Sequence, residues 1–146
     1  MLTGVGYAWR VLINSRFKSV ANAPPLRRTI RLEKVDCMQM TDIAFGTTDW
    51  STIPPEEHPG ERGRALWRTR QFGPIRVRMV EYSPGYLADH WCTKGHILLC
   101  LAGELHTELA DGRRYVLTPG MSYQVADGAE PHRSFTEGGA RLFIVD

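Results

Sequence analysis

From Ala65 to Asp146 the chain meets turn signals so often that no long element fits between them. Gly73-Pro74, Pro84-Gly85, Gly103, Asp111-Gly112, Pro119-Gly120 and the stretch "ADGAEP" (126–131) punctuate it. Turn signals about eight to twelve residues apart, with strand formers between them, predict an all-β sandwich or barrel. "ALWRTRQF" (65–72) is rich in strand formers. "IRVRMVEY" (75–82) partly alternates apolar and charged residues, the pattern of a half-buried strand. "HILLCL" (96–101), "MSYQV" (121–125) and "RLFIV" (141–145) add three more. "LHTEL" and "RRYVL" flank an Asp-Gly pair, a hairpin signal. No helical periodicity of useful length follows residue 40. "STIPPEEHPGERG" (51–63) reads as a polar loop, placed to lie across a barrel opening.

The chain has 146 residues, the size of one ordinary domain, and its 42% hydrophobic content is enough for one core. No apolar run approaches the ~20 residues a membrane-spanning helix needs. The net charge of +2 is unevenly spread. Residues 1–37 hold seven basic and two acidic residues, +5, and residues 38–146 hold eleven and fourteen, −3, which together give that +2. The basic balance belongs to the first segment and gives no argument that the main domain binds nucleic acid. Residues 1–37 therefore read as an irregular basic N-terminal extension, and 38–146 as the single domain. Arg10 interrupts the best apolar stretch of the extension, which argues against a secretory signal. Three readings stay open: an over-extended reading frame upstream of Met38 or Met40, a flexible tail, or an organelle transit peptide. Three cysteines, Cys37, Cys92 and Cys100, are too few and too odd in number for a disulfide framework. A reducing, cytoplasmic compartment is expected.

The chemistry concentrates in "PGYLADHWCTKGHILLCLAGE" (84–104), which places His90, Cys92 and His96 close together. Residues two apart on a strand share a face, so His90 and Cys92 are expected to point one way and Trp91 the other. A bend at "TKG" lets His96 converge on them from the next strand. His132, in "GAEPHRSF", follows a further hairpin that a small antiparallel barrel would bring opposite. Neutral imidazole and thiolate suit a divalent transition metal, zinc first, with iron, nickel, copper or manganese as alternatives. A closed His₃Cys set would be structural. Three histidines with Cys92 standing off would leave open positions for chemistry or ligand binding. Hydrogen-bonded residues without a metal are the plainer reading, since a single strand histidine or cysteine is more often a packing residue.

With these residues in view, the chain resembles the cupins. The first cupin motif is matched by Gly85, His90-x-Cys92, His96 and Gly103, with the family's spacing from Cys92 to His96 and from His96 to Gly103. The second is matched from Pro119-Gly120 to Pro131-His132. "DHWC" with its following histidine looks like the small bacterial cupins labelled by a DHCW motif. The resemblance covers most of 65–146. It implies a double-stranded β-helix (jelly-roll) barrel, a metal inside held by His90, Cys92, His96 and His132, and a homodimer. The departures are specific. Gly85 stands one residue too near His90, Cys92 replaces a histidine, His96 replaces a glutamate, Ala126 replaces a proline, and Thr136 stands where asparagine is common. The second motif is also one residue longer before its histidine. No carboxylate occupies the usual ligand position, so no particular cupin reaction carries over.

Around this set, Tyr123 is expected to line the cavity, with Cys100 facing inward as packing or lining and His106 at the barrel mouth or solvated beside Glu108. Asp89 is either an exposed turn residue or the acceptor for a ligand histidine's second N–H. Trp67 and Trp91 read as core or interface aromatics, and His58 as a surface residue of the polar loop. The expected partner is a small molecule, with no nucleic acid and no membrane. Two functions compete: a metalloenzyme with an open site, and a non-catalytic sensing or binding module with structural zinc and an oxidisable thiolate.

Overall fold

The computed structural model describes residue 40 and residues 43–146; the basic segment 1–37, with Cys37 and the candidate start Met38, lies outside the described residues. Nine strands follow one short 3₁₀ turn, Trp50–Thr52: β1 Glu56–Pro59, β2 Arg64–Phe72, β3 Ile75–Tyr82, β4 His96–Gly103, β5 Leu105–Leu109, β6 Arg114–Leu117, β7 Ser122–Val125, β8 His132–Phe135 and β9 Ala140–Val145. They form a six-stranded sheet, β1-β2-β3-β9-β4-β7, and a three-stranded sheet, β6-β5-β8. Every pairing is antiparallel. Among the described residues no helix is long and apolar enough to cross a membrane.

The alternation in the sequence is realised on the strands. On β5, Leu105, Thr107 and Leu109 are buried, while His106 and Glu108 face the other way. On β9, Ala140, Leu142 and Ile144 point inward. The Asp111-Gly112 turn joins β5 to β6, and Asp111 Oδ1 accepts the Arg113 backbone N–H at 3.0 Å. The chain passes from the six-stranded to the three-stranded sheet at Gly103, where the backbone turns sharply (φ +74°). A Cβ there would lie 2.1 Å from the Gly139 carbonyl oxygen, so only glycine fits. The core closes under this corner around Val80, Leu98, Cys100, Leu105 and Leu142, none more than 1% exposed.

Two sequence expectations are overturned, and one strand adds to them. The stretch 51–63 is not wholly loop, because β1 pairs with β2 across Glu56↔Trp67 to Pro59↔Arg64. β8, His132–Phe135, is a further strand, hidden in the sequence by the charged, proline-led "PHRSF". Finally, His90 and Cys92 do not share a strand. Between β3 and β4 the chain makes only isolated bridges, Arg62↔Leu87, Leu87↔Phe135 and Cys92↔His132, so strand parity does not govern those side chains.

Candidate metal centre

The Cys92↔His132 bridge builds the site. Cys92 N–H donates to the His132 carbonyl at 2.8 Å, and His132 N–H returns the bond to Cys92 at 3.0 Å. This reciprocal pair locks an irregular segment against the first residue of β8. His96 is the first residue of β4, whose partner β7 carries Tyr123 opposite Leu98. Three elements thus deliver donor atoms of Cys92, His96 and His132, all within 4.8 Å of one another. The two imidazoles meet edge on, with ring centroids 4.8 Å apart.

The donor chemistry is specific. His132 is 3% exposed. Its Nδ1 donates to the Glu130 carbonyl at 2.9 Å, which leaves the lone pair on Nε2. That buried Nε2 has no protein partner. A buried, unpaired lone pair whose tautomer is set from behind is how a metal-ligating histidine is prepared. Burial, with the neighbouring His132, pushes the His96 imidazole down to about 4, so it is neutral and able to ligate at pH 7. Burial also pushes the Tyr123 phenol up to about 12. That phenol therefore stays protonated, and its oxygen lies 2.9 Å from His96 Nε2, a contact that metal binding at Nε2 would replace. Cys92 is half-buried and carries no disulfide. A thiol and two imidazoles fit a divalent transition metal.

The structure brings together three of the four residues singled out as ligands and Tyr123 with them. His90 is not in the group. Its side chain is 71% exposed, and its Nδ1 lies 2.6 Å from Oδ1 of Asp89, itself exposed. His90 nevertheless borders the same cavity of about 100 Å³. Cys100 and His106 lie outside that cavity. Cys100 is in the dry core, and its S–H lies 3.7 Å from the Ala102 carbonyl. His106 is on the outer face of β5, stacked on Phe135 and 2.9 Å from Glu104. Trp91 is 40% exposed rather than core, with the Arg133 guanidinium over its ring at 5.1 Å. His58 is stacked on Trp67 at 3.9 Å instead of sitting on a surface loop.

Residues that the sequence reading passed over complete the wall. Arg78 is 7% exposed and lines the cavity. Its guanidinium lies over Trp67 at 4.3 Å, and its Nη2 donates to Asp146 Oδ2 at 2.6 Å. Arg76 grips the same carboxylate through Nε at 2.9 Å and Nη2 at 2.6 Å. Burial acts to raise the Asp146 carboxyl, but the Arg76 and Arg78 bonds outweigh it and hold the group below its ordinary value. The signal for Arg78 was present, since it shares parity on β3 with Val80 and Tyr82. Charged positions on an alternating strand are ordinarily taken as the outer face, and that habit hid it. A larger hollow of about 330 Å³ shares Tyr123 and His132 but contains neither Cys92 nor His96, so the chemistry stays with the smaller cavity.

The chain matches an RmlC-like cupin from Shewanella frigidimarina with a TM-score of 0.57 at 16% identity, covering 70% of this chain and 90% of that one. The fold is that of the cupins. Ectoine synthase from P. lautus matches this cupin barrel at TM-score 0.57 and 20% identity, over 69% of this chain and 76% of that one. A structure of Fe(II)-HppE with the alternative substrate (S)-1-HPP matches at TM-score 0.57 and 15% identity, over 70% of this chain and 60% of that one. No family model and no curated protein matches the sequence. At these identities the likeness shows the barrel and no more. It agrees with the all-β jelly roll that the sequence resemblance implied, and leaves the DHCW subgroup unassigned.

Proposed function

We propose that this cupin holds a divalent transition metal, zinc in the first instance, at Cys92, His96 and His132, and that it binds or transforms a small polar molecule on that metal. The supporting observation is His132. Its Nδ1 is committed to a backbone carbonyl, and its Nε2 is buried, unpaired and grouped with a thiol and a second neutral imidazole. Three protein donors leave one position of a four-coordinate metal for a ligand, the arrangement of a reactive rather than a structural site. A bound metal would supply Lewis acidity, polarising a carbonyl or activating water. Tyr123, whose hydroxyl lies 2.9 Å from His96 Nε2, lines the cavity with Trp67 and Tyr82. His90 at the cavity border is the candidate fourth ligand. If it left Asp89 and closed the site, the second reading would apply: a metal- or redox-responsive module in which an external oxidant such as a peroxide oxidises Cys92 and the metal is released. A homodimer in a reducing compartment remains the expected setting for both.

Elemental analysis of the purified full chain tests this, beside His132→Ala and His90→Ala. Near-stoichiometric metal in wild type and His90→Ala, with loss in His132→Ala, supports the open three-donor site. Equal loss in both variants favours the closed site. No metal in folded wild type after incubation with zinc, iron and nickel salts rejects the proposal. Cobalt substitution reads Cys92 directly, through a thiolate charge-transfer band that Cys92→Ser abolishes.

A further inference from the structure

The cavity around the proposed metal contains a second set of unsatisfied groups, and all of them are donors. Arg78 Nε, Arg133 Nε and Trp67 Nε1 are buried N–H groups without an acceptor, and all three residues line the same cavity as Cys92, His96 and His132. A buried N–H without an acceptor is costly, and an oxygen-bearing occupant beside these residues would offset that cost. The charge points the same way. Among the described residues lining the cavity there is no aspartate or glutamate, but there are two arginines. Asp146 is the acid nearest Arg78, and Arg76 shares it, so two guanidiniums divide one carboxylate and a positive charge is left over. Arg133 has only long contacts to acids, 3.4 Å to Glu61 and 4.0 Å to Glu108.

We infer that the natural ligand is a small organic carboxylate, one end on the metal and its charge met by the N–H groups of Arg78, Trp67 and Arg133; this rests on the metal reading above. Guanidinium N–H groups bind carboxylates through charge-assisted hydrogen bonds, and burial strengthens them. The cavity of about 100 Å³ admits a carboxylate of a few carbons. His58 stacked on the Trp67 ring and the Arg78 guanidinium over it fix Trp67 in the cavity wall.

The test is calorimetric titration of the zinc-loaded full chain with oxalate and pyruvate, with inorganic phosphate as the competing anion and acetamide as the neutral control. Metal content is measured on every sample. The expected result is saturable binding of at least one carboxylate, none of acetamide, and weaker or absent binding of phosphate. Arg78→Gln is expected to weaken carboxylate binding ten-fold or more while zinc stays bound. Trp67→Phe keeps the ring, removes one donor, and is expected to weaken binding a few-fold. It serves as the second variant if Arg78→Gln fails to fold. Zinc-loaded wild type that binds neither carboxylate at millimolar concentration overturns the inference and leaves the metal site standing. So does phosphate binding more tightly than both, or carboxylate affinity unchanged in Trp67→Phe and in folded Arg78→Gln. Equal carboxylate affinity with and without zinc removes the bridge to the metal. A wild type that takes up no zinc overturns both readings together.

Discussion

One strand runs through two unlike regions. The inward residues of β4 are His96, Leu98 and Cys100. At the Cys100 end the barrel is dry and satisfied, with Leu98, Leu105 and Leu142 at 1% exposure or less and the Cys100 S–H directed to backbone carbonyls. At the His96 end the walls are two imidazoles, a thiol and two arginines, and several buried polar atoms lack partners. The two cysteines make the contrast chemical. Burial pushes the Cys100 thiol up and makes it an inert packing group, whereas Cys92 stands beside His96 and His132. Stability is concentrated at one end and unmet binding capacity at the other, a division expected where a rigid scaffold presents a site.

The largest expected effect is at the dry end. Leu142→Ala, at a fully buried position, is expected to cost about 2–5 kcal/mol in urea unfolding, while the protein that remains folded keeps its metal stoichiometry. Metal loss equal to the loss of folding would show that the two ends are one cooperative unit. Gly103→Ala comes next. Its backbone and the 2.1 Å approach to Gly139 forbid a Cβ, so a loss of about 1–3 kcal/mol is expected, read by thermal melting. At the site end, His132→Ala is expected to lower zinc affinity at least about a hundred-fold, with a metal-free melting temperature close to wild type. Competition with a chromophoric chelator measures the first, and calorimetry without metal the second.

A fourth test sets one cysteine against the other. In the metal-free native protein iodoacetamide is expected to label Cys92 and spare Cys100, and zinc is expected to slow Cys92 labelling. Peptide mapping at the two residues reads this directly. Comparable labelling of Cys100 in the native state would break the contrast. The smallest effect is on pH. His96 ionises near 6.5 when unfolded and near 4 when folded, so between these values the unfolded chain binds more protons. Stability of the metal-free protein is therefore full above about pH 6.5 and declines as pH falls toward 4. Asp146, held below its ordinary value, contributes only further down and leaves this window to His96. Urea melts from about pH 7 to about pH 4.5 are expected to show the decline, flattened in His96→Gln.

Much of the barrel was legible in the chain because its signals are local. Period-two alternation in 75–82 and 105–109 and the Asp111-Gly112 turn each lie within a few residues, and each forms as expected. β1 and β8 were not legible, because their prolines and charges mask strands that exist only through their partners β2 and β5. The ligand residues were legible as types and as a cluster, and His132 through its place after Pro131. Grouping them was another matter. Cys92 joins His132 through backbone bonds across a long loop, and the same local irregularity leaves His90 with Asp89. Arg78 shows the limit most clearly. A strand pattern gives a residue's parity, but which parity faces the cavity depends on what the opposite wall contains. By itself the sequence determined an all-β barrel with a thiol and imidazoles near one end. Only the tertiary structure decided which donors meet, which lone pair is left unpaired, and that two arginines face inward, because those outcomes depend on burial and on pairs far apart along the chain.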